Sequence, residues 1–299
     1  MNLEALTAQL KTRSPQRLAI AAAEDDEVLK AAHESLHLGI TLPVLIGDTT
    51  TIQELARRLS LDLTGMPVIQ SEGPIRSAAL AVELVRQGEA DMLMKGLLQT
   101  ADLLRAVLHR EKGLRTGKTL SHVGAMHCLS TGRTLFITDS AMVMYPDLKT
   151  KAELIANAVK MASAMGVKQP KVAAIAAVEL VNPDMPPTID AALLTMMNRR
   201  GQIRDCIVDG PLAMDLVLNA EAARHKGVDS PVAGQADILL MPNIEAGNAA
   251  MKAMVNMGDC LMGGVVMGAR VPIALTSRAD SHQSKVYSIA CAAAVGACQ

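Results

Sequence analysis

Residues 17–48 read RLAIAAAEDDEVLKAAHESLHLGITLPVLIGD, and the order of side chains in them decides the fold class. Arg17 to Ala23 is an apolar run without polar alternation, the pattern of a strand covered on both faces. Asp25 to Leu38 then places Val28, Leu29, Ala32 and Leu36 on one stripe of a helix that Gly39 closes. Leu42 to Gly47 is a second apolar strand. A strand, a helix and another strand at this spacing predict a right-handed crossover in a parallel sheet.

The same rhythm extends outward. It predicts helices over Thr51–Leu59, Ile75–Gln87 and Ala101–Glu111, and strands over Pro67–Gln70 and Asp91–Lys95. At Leu120 the rhythm changes, because Ser121–Met126 and Thr134–Thr138 are strand-like with no helix between them, which predicts an antiparallel insertion and a switch of domain. Alternation resumes with a helix over Thr150–Met165, a strand over Lys171–Val181 and a helix over Ile189–Arg199. A strand over Arg204–Val208, a helix over Ala213–His225, a strand over Asp237–Met241 and a helix over Asn248–Met257 follow. Leu261–Met267 and Val271–Thr276 are again strand-like, and the small apolar residues of Gln283–Ala297 predict a buried last helix packed on the first domain. The expected architecture is two α/β domains, residues 1–120 with 268–299 and residues 121–267, with a ligand cleft between them.

Composition narrows the function. The 299 residues carry 29 Lys and Arg against 30 Asp and Glu, a net charge of -1, which argues against holding nucleic acid or an anionic membrane by bulk charge. With no Trp, two Tyr and one Phe there is little for bases to stack on. Neither a secretory signal nor a membrane span is expected. Cys128, Cys206, Cys260, Cys291 and Cys298 lie far apart and none forms a Cys-x-x-Cys pair, so free thiols in a reducing cytoplasm are expected.

Several motifs compete with plain structural readings. His33 and His37 fit a helical zinc pattern, but their helix face is solvated and the extended motif is missing, so no metal is expected. Gly113 to Thr119 ends like a P-loop, yet its glycines are too close and it runs from helix into strand. No dinucleotide fingerprint is present. Thr276-Ser277-Arg278-Ala279-Asp280-Ser281 follows an apolar strand and opens the last helix. Free amides, hydroxyls and a guanidinium there suit an anion, against a reading of Ser277, Asp280 or Ser281 as a simple helix cap. Lys95-Gly96 with Gln99-Thr100-Ala101-Asp102 repeats that logic, against Thr100 or Asp102 as a plain cap, and Pro242-Asn243-Ile244-Glu245-Ala246-Gly247-Asn248 is a third strand-to-helix turn, against simple turn and cap chemistry.

These stretches, taken in order, resemble the phosphate acetyl/butyryl transferase family, most closely its butyryl-transferring branch. The likeness rests on Ala90–Gly96, Thr100–Arg105, Phe136–Asp139, Asp209–Ala213, His225–Gly234, Glu245–Asn248 and Thr276–Arg278, and it spans most of the chain from about residue 75. The resemblance implies an isocitrate/isopropylmalate dehydrogenase-like fold and reversible acyl exchange between coenzyme A and phosphate, with acyl phosphate as product and direct attack in a ternary complex. No tightly bound cofactor is implied, and a cytoplasmic homo-oligomer, a dimer or a multiple of it, is. By the same resemblance Arg278 clamps phosphate, Ser277 donates to an oxygen, and Lys95, Thr100, Arg105, Ser281, Glu245 and Asn248 contact substrate. One departure matters: the acetyl-transferring members carry an acidic base a few residues after the Ser-Arg pair, and in this chain that position falls near Ser284, which leaves Asp280 as the nearest candidate for the base. The alternatives are acetyl transfer, an oxidoreductase on the same architecture, and a non-catalytic module binding CoA or phosphate.

Overall fold

The computed structural model describes residues 1–278 and 280–298. In chain order the elements are α1 (Leu3–Leu10), β1 (Gln16–Ala21), α2 (Asp26–His37), β2 (Thr41–Gly47), α3 (Thr49–Arg58), β3 (Val68–Gln70), α4 (Pro74–Arg86), β4 (Met92–Lys95) and α5 (Thr100–Val107). Next come β5 (Ser121–Cys128), β6 (Thr134–Thr138), α6 (Leu148–Ala164), β7 (Lys171–Ile175), α7 (Pro186–Arg199), β8 (Ile207–Leu212), α8 (Met214–Leu218), α9 (Ala220–His225), β9 (Ile238–Leu240) and α10 (Ile244–Met257). The chain ends with β10 (Cys260–Met267), β11 (Ile273–Ala274) and α11 (His282–Gly296).

The fold is mixed α/β, and two compact units divide the chain. One comprises Asn2–Lys118 with Leu261–Gln299, the other Thr119–Cys260 with Met1. In the first unit the strands lie in the order β3-β2-β1-β4-β11-β10. They run parallel from β3 to β11, and β10 turns back antiparallel on β11. Asp25 and Asp48 start α2 and α3 by accepting the amides of Val28 and Thr51, which satisfies donors that a helix cannot pair internally. Buried α11 packs on α1, α2, β4 and β11, as its run of small apolar residues predicts. In the second unit the order is β5-β6-β9-β7-β8, with β5 antiparallel to β6 and the other pairs parallel.

Several expected boundaries are corrected. The strand expected over Lys171–Val181 stops at Ile175, and Leu180 and Val181 are exposed, because only the first five residues find partners in β8 and β9. The strand expected over Arg204–Val208 lies at Ile207–Leu212 instead, and Pro211 is tolerated there because β8 is an edge strand. The single helix expected over Ala213–His225 is two short ones, broken at Asn219, whose extended backbone lets its side chain cap Glu221. The helix expected to reach Glu111 ends at Val107, where His109 Nδ1 accepts the amides of Glu111 and Lys112 and turns the chain. Helix α1 adds an element to those expected, capped by Asn2, whose side chain accepts the Ala5 amide. Cys128 and Cys260 are disulfide-paired, which corrects the reading of all five cysteines as free thiols; Cys206, Cys291 and Cys298 are free. Among the described residues no helix is long and apolar enough to cross a membrane.

Candidate active site

Strand β4 ends at Lys95, and the chain must bend sharply there. A Cβ at Gly96 would run into the carbonyl oxygens of Ala22 and Ala21, so only glycine lets this turn lie against the end of β1. Lys95 is 5% exposed, and its Nζ donates to the carbonyls of Gly96 at 3.2 Å and Leu98 at 3.1 Å. These bonds hold the loop that leads into α5.

Beside it runs the turn from β11 to α11. Thr276 is buried, whereas Ser277 and Arg278 are exposed. Asp280 Oδ2 accepts the Ser277 amide at 2.7 Å, and the Asp280 amide returns to the Ser277 carbonyl at 3.3 Å. Ser281 is the N-cap of α11, accepting the Ser284 amide at 3.3 Å. Lys285, one turn into α11 and 2% exposed, donates its Nζ to the carbonyls of Ser277 at 3.0 Å and Asp280 at 2.8 Å. Ala279, part of the same stretch, lies outside the described residues.

The structure therefore brings Lys95, Ser277, Arg278 and Asp280 into one cluster, and adds Lys285 to it. Burial lowers the Lys95 ammonium from its ordinary value first; the positive charges of Arg278 and Lys285 push the same way, and Asp25 and Asp280 oppose them. Burying an ammonium whose only partners are carbonyls costs free energy that an ion pair would offset. Among the described residues, neither lysine has a carboxylate within ion-pair distance, and the Arg278 guanidinium makes no hydrogen bond or ion pair. With three cations against Asp280 and Asp25, the cluster is net cationic, and its complement is an anion.

The remaining predicted residues sit as follows. Thr100 is the first residue of α5 rather than its cap, and the cap residue, Gln99, makes no side-chain bond. Arg105 is 71% exposed on the same helix and pairs with Asp102 at 2.6 Å. Glu245 and Asn248 belong to the second unit, in the first turn of α10. Glu245 accepts a bond from the Tyr145 hydroxyl, and Asn248 Nδ2 donates to the Ser140 carbonyl at 2.9 Å. A Cβ at Gly247 would collide with the Asp139 carbonyl, so α10 starts in close contact with that buried residue. Asp139, within the quoted Phe136–Asp139 stretch, spends its carboxylate on the amides of His122, Ala141 and Met142, which is a structural assignment. His33 and His37 have their rings 4.0 Å apart, and among the described residues no group of three or more His, Cys, Asp or Glu is placed to hold a metal.

Lys285 is the residue that sequence reasoning missed. Its only signal was a lone cation inside a helix that is otherwise small and apolar, where burial with a specific job is the alternative to not being buried at all.

The profile of a family described as Phosphate acetyl/butaryl transferase matches residues 1–79 and 74–293. The chain is 48% identical over 287 residues to a phosphate butyryltransferase from Clostridium acetobutylicum, covering 96% of this chain and 95% of that one. It is 44% identical over 278 residues to a phosphate acetyltransferase from Thermotoga maritima, covering 93% and 94%. Among solved structures, a branched-chain phosphotransacylase from Enterococcus faecalis V583 superposes with a TM-score of 0.81 at 32% identity, covering 94% of this chain and 99% of that one.

Proposed function

The chain belongs to the phosphate acetyl/butyryl transferase family, and from that premise we propose that it moves a short acyl group between coenzyme A and inorganic phosphate. Acyl-CoA and phosphate give acyl phosphate and CoA, with butyryl preferred over acetyl. The enzyme is an acyltransferase, and coenzyme A is its substrate rather than a resident cofactor. The observation that carries the reading is the cationic turn: an exposed Arg278, unpartnered among the described residues, beside two buried lysines, at the strand-to-helix junction where backbone amides also favour an anion.

Each residue then has a task. Arg278 grips phosphate or acyl phosphate through paired N–H groups, and Ser277 donates to a phosphate or carbonyl oxygen. Lys285 holds the carbonyls on both sides of the turn, which fixes the direction of Arg278. Asp280, expected as a base, has Oδ2 on the Ser277 amide, and we assign it to positioning. Thr100 and Ser281 stand at the N-terminal ends of α5 and α11, where an anion is favoured. Arg105 is a second anion contact, since an exposed ion pair such as that with Asp102 is worth only about 0–1 kcal/mol and exchanges readily for a ligand phosphate. Glu245 and Asn248 are substrate contacts by the resemblance.

A phosphate oxygen attacks the thioester carbonyl directly, the C–S bond breaks, and the thiolate leaves. The buried free thiols do not suit a covalent route: burial raises Cys206 to about 11 and raises Cys291 as well. The finer fold assignment that accompanies this reading is isocitrate/isopropylmalate dehydrogenase-like, supported by the antiparallel pairs β5–β6 and β10–β11 that interrupt otherwise parallel strands. A cytoplasmic homo-oligomer completes it, tested by light scattering. The deciding experiment is thiol release from acetyl-, propionyl- and butyryl-CoA with and without phosphate. Phosphate-dependent release that is fastest with butyryl-CoA is the expected result, and binding without turnover refutes the reading.

A further inference from the structure

We propose that Lys95 is the catalytic base of this enzyme, taking the proton of the CoA thiol when acyl phosphate is the donor. The inference rests on the acyl-transfer reading above and goes beyond it, because there Lys95 only lends charge. It begins from a vacancy: direct attack by a thiol needs a proton acceptor, the position expected to carry a carboxylate is Ser284, and Asp280 is bonded to the Ser277 amide.

Lys95 fits by count and by place. An uncharged amine has two N–H donors and one lone pair. The two acceptors found, the Gly96 and Leu98 carbonyls, use both donors, and among the described residues nothing else bonds Nζ. The fourth tetrahedral position of Nζ is then a lone pair in the neutral form and a third N–H in the charged form. The loop that supplies both carbonyls lies so close to the end of β1 that a Cβ at Gly96 would meet the carbonyl oxygens of Ala21 and Ala22.

Four charged groups face Lys95, and they come from three places. Asp25 precedes α2, Arg278 and Asp280 lie on the turn after β11, and Lys285 lies on α11. Burial and the two cations favour the neutral amine, the state a base requires.

The step balances. The Nζ lone pair takes the thiol proton while sulfur bonds to the acyl carbon. The acyl C–O bond then breaks, and phosphate leaves with its electron pair. In the opposite direction the third N–H of Lys95 returns its proton to the departing thiolate as phosphate oxygen bonds to the acyl carbon.

The test uses the full chain in both directions. Lys95→Met should lower turnover about 100-fold or more while the phosphate KM moves less than about threefold. Added ethylamine should restore part of that turnover and guanidinium should not, since guanidinium restores charge but cannot exchange a proton. Restoration by guanidinium, or by neither, overturns the proposal. Should the variant fail to fold, Asp25→Asn serves instead: Asn still caps α2 but removes a charge that raises Lys95. The rising limb of rate against pH with acyl phosphate and CoA should then move to lower pH, and an unmoved limb overturns the proposal. Absence of phosphate-dependent thiol release in the unsubstituted enzyme overturns the parent reading instead, so the two failures are distinct.

Discussion

Replacing Arg278 by Ala separates chemistry from stability more cleanly than any other substitution in this chain. The side chain is exposed and, among the described residues, makes no hydrogen bond or ion pair, so removing it should change the folding free energy by no more than about 0.5 kcal/mol. The loss in catalysis is of another order. A guanidinium gripping phosphate through two charge-assisted bonds, each worth about 1.5–3 kcal/mol, supplies about 3–6 kcal/mol. At about 1.4 kcal/mol per decade, kcat/KM should fall about 10²–10⁴-fold. Arg278→Lys keeps the charge but loses the fork, so it should fall between the two. The assay is phosphate-dependent thiol release from butyryl-CoA, run beside a thermal melt on the same preparation. Activity of Arg278→Ala within threefold of the unsubstituted enzyme, at an unchanged Tm, would refute the assignment of this turn as the phosphate clamp.

Lys285→Met should strand the Ser277 and Asp280 carbonyls, lowering stability by about 1–3 kcal/mol. It should also cost about 10²-fold in kcat/KM through misplacement of the turn; a melt shift with normal kinetics would make Lys285 purely structural. Arg105→Ala should raise the KM for CoA or phosphate about threefold or more with kcat within threefold, and an unchanged KM for both removes it from the site. The Asp91 carboxyl is held below its ordinary value chiefly by its bond to Arg17. Its contribution is therefore fully present above the ordinary carboxylate value and lost as pH falls through the lowered one. Asp91→Asn should lower Tm by about 2–4 °C at neutral pH, for a half-exposed pair worth about 1 kcal/mol. The gap should close as pH falls below the ordinary carboxylate value, and a gap that widens instead would contradict the sign.

The elements most legible in the sequence are those whose signal is local. The β1–α2–β2 stretch is found within two residues of its expected bounds, because a continuous apolar run and an Asp cap carry their own geometry. The antiparallel β5–β6 pair is found for the same reason. Strand ends in the second unit were not legible: where β7 stops depends on how far β8 and β9 run beside it, and β8 accepts Pro211 only because it is an edge. The site was half legible. Ser277, Arg278 and Lys95 are recognisable as strand-end residues, but that Asp280 turns back on the Ser277 amide, and that Lys285 reaches the same loop from inside an apolar helix, are contacts no spacing rule encodes.

The first unit draws its strands from both sides of a long detour. Its sheet places β11 beside β4, yet residues 119–260, all of the other unit but Met1, are synthesised between them. On a translating ribosome at about 5–20 residues per second, β4 keeps an open edge on the order of ten seconds before its neighbour emerges. The cationic turn and the helix that anchors it follow β11 in the chain, so the nascent chain lacks both until that sheet has been completed.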